Sequence, residues 1–185
     1  MKRLCLMALL FCGLICNAQT LKFLGIPLGI SSTAFKQKLL SKGFTYSSEE
    51  SNNGIYIDNY IFYGNFAGDY ASVCLRVTPK TRLVYCVSVR FLNYKYSPYV
   101  AGVMTEELQN WKFNTIKNII IEKYPNLSYY DFSSDDYPLS TIWEDDKYEI
   151  ALVISWYANY WRNMDLNYTD KTTQQKREKE KYNDF

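Results

Sequence analysis

The side chains that most enzymes use near neutral pH are scarce in this chain. It contains no histidine among 185 residues, which excludes Ser-His-Asp and Cys-His catalysis and histidine-ligated metals. Three of its five cysteines stand within the first 16 residues. Cys74 and Cys86 remain, which is too few for a four-ligand zinc site, and nothing near them marks a nucleophile. The sequence therefore predicts no catalytic residue, no metal site and no cofactor.

Carboxylates are the remaining groups that could do chemistry. They are densest at Asp135-Asp136 and at Glu144-Asp145-Asp146. A glycosidase needs two carboxyl groups held roughly 5 Å or 6.5–9.5 Å apart across a cleft. These residues fall in predicted loops, where aspartate is favoured because its side chain bonds to the backbone. We expect structural turns, with a carboxylate-dependent glycosidase as the alternative.

Aromatic side chains are the most unusual feature of the composition. Phe, Trp and Tyr make up 17% of the residues, and 18 of them are tyrosines. Tyr and Trp dominate binding hot spots and can also stack on sugar rings. The alternative is that these rings cover sheet edges. Two loop segments, 155–163 and 92–99, supply the candidate binding residues, which are Trp156, Tyr157, Tyr160, Trp161, Tyr94, Tyr96 and Tyr99.

Alternating residues around Pro79-Lys80-Thr81 predict a β-hairpin that carries both remaining cysteines. Matching the apolar faces of the two strands centres the hairpin on Lys80 and places Cys74 opposite Cys86. A cross-strand disulfide is then possible if the pair is not hydrogen-bonded. Two reduced, half-buried thiols are the alternative.

Two helices have clear start and stop signals. The first begins after Ser31 as N-cap and ends at Gly43, with Phe35 and Leu39 facing inward. The second runs from near Thr105 to Tyr124, before a proline. Its inward face holds Phe113, Ile116 and Ile120, with Leu108, Trp111 and Ile119 beside it.

Each helix is followed by three predicted strands. The first set covers 54–66, 69–78 and 83–92, and the second follows the polar loop DFSSDDYP. The order predicts an α+β fold of two helix-plus-three-strand units, at about 22–100 and 101–170. One antiparallel sheet with both helices packed on one face would bury a single core and leave the other face available.

The two ends of the chain have distinct compositions. Residues 1–18 resemble a signal peptide, with Lys2 and Arg3 before an apolar run and a small-residue cleavage site. This predicts a periplasmic or secreted protein, and favours cleavage over lipidation because Ile15 precedes Cys16. Residues 19–170 form the predicted domain, and the charged segment 171–185 is expected to be a frayed helix or disordered.

Three segments, FLGIPLGISSTAFKQKLLSKGF, YGNFAGDYASVCLRV and LVYCVSVRF, resemble a group of uncharacterised exported proteins of Gram-negative gut bacteria. That likeness implies export and no particular activity. The element order is more distantly similar to the β-lactamase-inhibitor-protein fold and to small outer-membrane assembly lipoproteins, which implies protein binding.

The sequence thus favours an exported, non-catalytic binding module that recognises a protein or cell-envelope component. A carbohydrate-binding protein or carboxylate-dependent glycosidase is the alternative, and a purely structural envelope protein is a third hypothesis. Without Lys2 and Arg3 the chain would carry 19 basic and 19 acidic residues. Such a neutral chain without a basic cluster is a poor candidate for nucleic-acid binding. No segment of the mature chain is expected to span a membrane.

Overall fold

The computed structural model describes residues 20–52, 59–92, 105–157 and 161–182. Its first half contains β1 (Lys22–Phe23), β2 (Ile26–Pro27), α1 (Ser32–Ser41), β3 (Thr45–Ser47), α2 (Ser48–Asn52), β4 (Asn59–Phe66), β5 (Asp69–Val77) and β6 (Val84–Phe91). Its second half contains α3 (Glu106–Lys123), β7 (Ser128–Phe132), β8 (Leu139–Glu144), β9 (Tyr148–Tyr157), β10 (Trp161–Asp170) and α4 (Lys171–Tyr182).

Eight of these strands form one antiparallel sheet in the order β3-β4-β5-β6-β10-β9-β8-β7. Each half of the chain contributes a helix and a meander, and the two meanders meet where β6 pairs with β10. The predicted α+β fold is confirmed, but each meander has four strands, not three. The strands of this sheet that were missed are β3 and β7 at its two edges. Because β3 has only three residues and β7 is exposed along its whole length, neither shows the alternation that identifies a strand in sequence.

The buried core lies between one face of this sheet and the helices. Paired residues such as Val73, Val89, Leu166 and Leu152 define that face, which we call the inner face. As predicted, it meets buried side chains of both long helices, namely Phe35, Leu39, Phe113, Ile116 and Ile120. Helices α1 and α3 therefore leave the opposite face uncovered, and we call it the outer face.

The boundaries of α1 follow the local signals in the sequence. The Ser31 side chain accepts a hydrogen bond from the Ala34 amide at 3.3 Å. At the other end the Phe44 amide donates to the Leu39 carbonyl, and Gly43 has a φ of +86°. This is a Schellman ending at the predicted glycine, which takes the left-handed conformation without a steric cost.

Helix α3 also has its predicted limits, with Thr105 as N-cap and Tyr124 as C-cap. The sequence predicted that three further apolar residues lie beside its inward face. The side chains of these residues, Leu108, Trp111 and Ile119, are instead 45–60% exposed. They lie too far around the helix from the Phe113 face to reach the core. In the part of the chain that the structure describes, no helix is both long and apolar enough to cross a membrane.

The register predicted for the β5–β6 hairpin is wrong. Cys74 pairs with Ser88, while Cys86 pairs with Arg76. The turn is wider than expected, since Thr78 accepts from the Arg82 amide, and a register shift follows at Val77. Both cysteines are free. As diagonal neighbours their Cα atoms stand about 7–8 Å apart, beyond the usual disulfide range.

The C-terminal segment forms a docked helix, whereas the sequence suggested fraying or disorder. The buried Asp170 side chain accepts from the Thr173 amide and hydroxyl at 3.1 and 2.8 Å, which caps the start of α4. Near the other end, Glu180 accepts hydrogen bonds from the Lys80 and Thr81 amides in the β5–β6 turn. The hydrogen bonds to Glu180 join residues about 100 positions apart, so local composition could not reveal them.

Candidate binding surface

A row of uncharged side chains crosses the outer face from one edge of the sheet to the other. Strand register places one residue from each of the eight strands in it. At about 4.8 Å per strand, the row spans roughly 34 Å. We call it the outer row, and its members are Ser47, Ile61, Cys74, Ser88, Asn167, Ala151, Ile142 and Tyr130.

Most of the outer row is accessible. Ala151 is buried at 9% exposure and Tyr130 is 49% exposed, while the other six side chains are half-buried. Side chains held on paired strands lose little conformational freedom when a partner covers them. The outer row is therefore a preorganised surface with isoleucines on both sides of its polar centre.

Charged residues border the outer row on both sides. On one side Arg90 donates to both carboxylate oxygens of Asp165, at 2.8 and 3.0 Å. On the other side the neighbouring positions include the exposed Arg76 and the half-buried Glu149. A bidentate arginine–carboxylate pair is geometrically fixed, so the border at Arg90 and Asp165 has a defined shape and little net charge.

The two thiols on the outer face stay protonated near neutral pH. Burial raises the pKa of Cys74 to about 11, although Arg76 acts in the opposite direction. Burial also raises the pKa of Cys86, whose sulfur accepts a hydrogen bond from Thr169. Since the thiolate is the reactive form, neither cysteine is prepared to act as a nucleophile.

We expect Cys74 and Cys86 to be reduced and slow to react. In the folded protein at pH 8, Cys74 should alkylate about 100-fold more slowly than in the unfolded chain, because its pKa is raised. Timed iodoacetamide labelling and peptide mass spectrometry without a reductant would measure this. After unfolding, both residues should carry the label. A peptide cross-linked through Cys74 and Cys86 would contradict the expectation.

The predicted aromatic site is only partly covered by the structure. The half-buried Trp156 lies beside Arg162, whose guanidinium carbon is 4.6 Å from the ring centre. Arg162 also donates to Glu106 at 2.5 Å, so Trp156 packs against an ion pair that joins β10 to α3. Tyr157 and Trp161 are paired strand positions. The other four residues, Tyr160, Tyr94, Tyr96 and Tyr99, lie outside the described residues.

A different aromatic cluster stands at the edge of the sheet. Tyr129, Tyr130, Phe132 and Tyr137 are 39–50% exposed. The first three belong to β7, and the Phe132 and Tyr137 rings are 6.1 Å apart. This cluster was not predicted from the sequence because SYYDF precedes a strongly polar loop. Its run of aromatic residues was the available signal.

The acidic clusters are placed in different ways. Asp145 accepts hydrogen bonds from the Lys147 and Tyr148 amides, both at 2.7 Å, as expected of a structural turn. Glu144 accepts from Lys171 at 2.6 Å. Asp135 and Asp136 are exposed. Among the described residues, no group of three or more acidic or cysteine side chains could hold a metal ion.

The chain matches no protein-family model, and no curated protein or solved structure matches it significantly. The likeness to exported gut-bacterial proteins therefore stays a prediction from the quoted segments.

Proposed function

We propose that this protein is an exported, non-catalytic binding module that docks a protein of the cell envelope through its outer face. The observation that carries the proposal is the outer row, which crosses all eight strands without a charged side chain. The solvent-facing side of an antiparallel sheet normally carries polar and charged residues. A long uncharged row with charged residues along its borders is typical of a surface that a partner covers.

The size of the surface supports a protein partner. Residues two apart on a strand are separated by about 7 Å, so three parallel rows cover roughly 34 by 20 Å. This approaches the ~800 Å² that each partner contributes to a standard protein interface. Helix α4 borders the surface near Cys86, where its Arg177 lies over Tyr85 with the guanidinium carbon 5.3 Å from the ring centre. A partner would therefore approach from the open part of the sheet.

Carbohydrate binding is the second candidate, and the aromatic cluster of β7 favours it. Tyr130 stands at the end of the outer row, and exposed rings can stack on sugars. A glycosidase reaction has less support at the sheet edge formed by β7. A glycosidase acid needs a raised pKa, whereas hydrogen bonds from Lys117 and Thr141 lower the pKa of Asp131.

A matched pair of lysine substitutions tests the proposal. Ser88→Lys places a charge at the centre of the outer row, whereas Asn114→Lys places the same charge on the exposed side of α3. We expect the parent and Asn114→Lys to capture the same protein from cross-linked native envelope extract. Ser88→Lys should capture about tenfold less, because a desolvated charge costs at least 1.4 kcal/mol.

The unfolding temperatures of both variants would show that they remain folded. Equal capture by Ser88→Lys and the parent would contradict docking through the outer row. Retention of the parent on immobilised glycans, with no captured protein, would favour the carbohydrate candidate. Loss of that retention in Tyr130→Ala would then locate the sugar site at β7.

A further inference from the structure

Strand β7 is an exposed sheet edge. It is the last strand in the sheet order, and all five of its residues are exposed. It pairs with β8 from Ser128–Glu144 to Phe132–Ser140 without a register shift. Its other side faces solvent, and an edge strand there presents backbone N–H and C=O groups to any further strand.

The sequence of β7 contains little that would prevent such pairing. Natural edges are usually protected by lysine, proline or a bulge, and Ser-Tyr-Tyr-Asp-Phe has none of these. Its only charge, Asp131, accepts hydrogen bonds from Lys117 at 2.6 and 2.7 Å and from Thr141 at 2.5 Å. That carboxylate is held toward α3 and neutralised, so it offers little repulsion to an incoming strand.

We propose that β7 pairs antiparallel with β7 of a second copy, about a two-fold axis at Tyr130. In this register Tyr130 faces Tyr130 of the second copy, and Tyr129 faces Asp131 of the second copy. Ser128 faces Phe132 of the second copy. The strand is therefore complementary to itself, since no residue stands opposite a like charge, and aromatic cross-strand pairs are favourable.

Two further observations favour a second copy over an unrelated strand. The full chain has a formal net charge of only +2, so copies experience little long-range repulsion. The axis would also be perpendicular to the sheet, which places both outer faces on the same side. Because Tyr130 ends the outer row, the two rows would join across the axis into one surface about 72 Å long. The pairing does not depend on the proposed function.

The expected dimer is weak. A five-residue strand is about 17 Å long, so the contact falls well below the ~800 Å² per partner of stable interfaces. A dissociation constant of about 10–100 μM is the expected range for so small a contact. The dimer would form at high local concentration and dissociate on dilution.

Complementary charges at the axis test the proposal. In sedimentation equilibrium at about 100 μM, the protein produced from its full-length coding sequence should show a monomer–dimer equilibrium. Tyr130→Lys and Tyr130→Glu should each weaken dimerisation about tenfold, since each places like charges opposite each other. An equimolar mixture of the two variants should form a heterodimer with an affinity close to that of the parent.

Tyr70→Lys is the matched control, because Tyr70 is a strand tyrosine of similar exposure, 48%, elsewhere on the sheet. It should dimerise like the parent. A parent that stays monomeric at this concentration would overturn the proposal. A parent-like dimer of Tyr130→Lys, or a mixture that fails to associate, would also overturn it, because each outcome excludes pairing across Tyr130.

Discussion

Replacing Asp69 with alanine is expected to destabilise the protein by about 3–5 kcal/mol. Asp69 begins β5 and forms an ion pair with Lys112 of α3, whose side chain is only 11% exposed. The substitution would take away the carboxylate that Asp69 supplies to a largely buried ammonium group. Such a loss is costly because the charge stays desolvated while its attraction to the carboxylate disappears.

Urea unfolding would measure this effect, and a double variant would separate the charge from the packing. Asp69→Ala combined with Lys112→Met removes both charges, so it should regain most of the lost stability. Glu178→Ala is the control, because Glu178 pairs with Arg177 but is 47% exposed. It should cost less than about 0.5 kcal/mol. Equal losses for Asp69→Ala and Glu178→Ala would show that burial of the ion pair has no special effect.

Some features of this fold could be predicted because their causes are local. The limits of α1 and α3 depend on a capping side chain, a glycine or proline, and apolar spacing, all within a few residues. The register of the β5–β6 hairpin was harder to predict from the sequence. Choosing between Ser88 and Cys86 as the partner of Cys74 depends on the width of a turn and on one register shift. Apolar faces match almost equally well in both registers.

The candidate surface likewise has features that could be predicted from the sequence and others that could not. An open sheet face follows from two helices packing on one side, so it could be predicted from element order. The residues of the outer row could not, because a row requires the register of all eight strands. The missed strand β7 supplies its last member, Tyr130. Conversely, Trp156 was predicted as a binding residue only because it is aromatic, and its contact with Arg162 is evident only in the structure.

Deleting residues 171–185 is expected to cost about 4 kcal/mol, although their sequence is almost entirely polar and charged. The Glu180 carboxylate accepts hydrogen bonds from the Lys80 and Thr81 amides and from the Thr81 hydroxyl. Hydrogen bonds to a charged group contribute about 1.5–3 kcal/mol. The capped first turn and the contact of Arg177 with Tyr85 add smaller amounts. The deletion would also uncover Tyr85, which is 6% exposed.

A single substitution isolates the largest of these contributions. In denaturant unfolding at pH 7, Glu180→Ala should cost about 2 kcal/mol, whereas Glu178→Ala should cost under about 0.5 kcal/mol because it loses only a partly exposed contact with Arg177. Burial would raise the pKa of Glu180, but hydrogen bonds from Thr81 and Lys80 outweigh it and lower the pKa. A lowered pKa means that this stability is present above about pH 4.5 and is lost as the pH falls further. The difference between the parent and Glu180→Ala should therefore shrink in acid. An equal midpoint for the parent and the deletion variant would instead mean that the segment is frayed in solution.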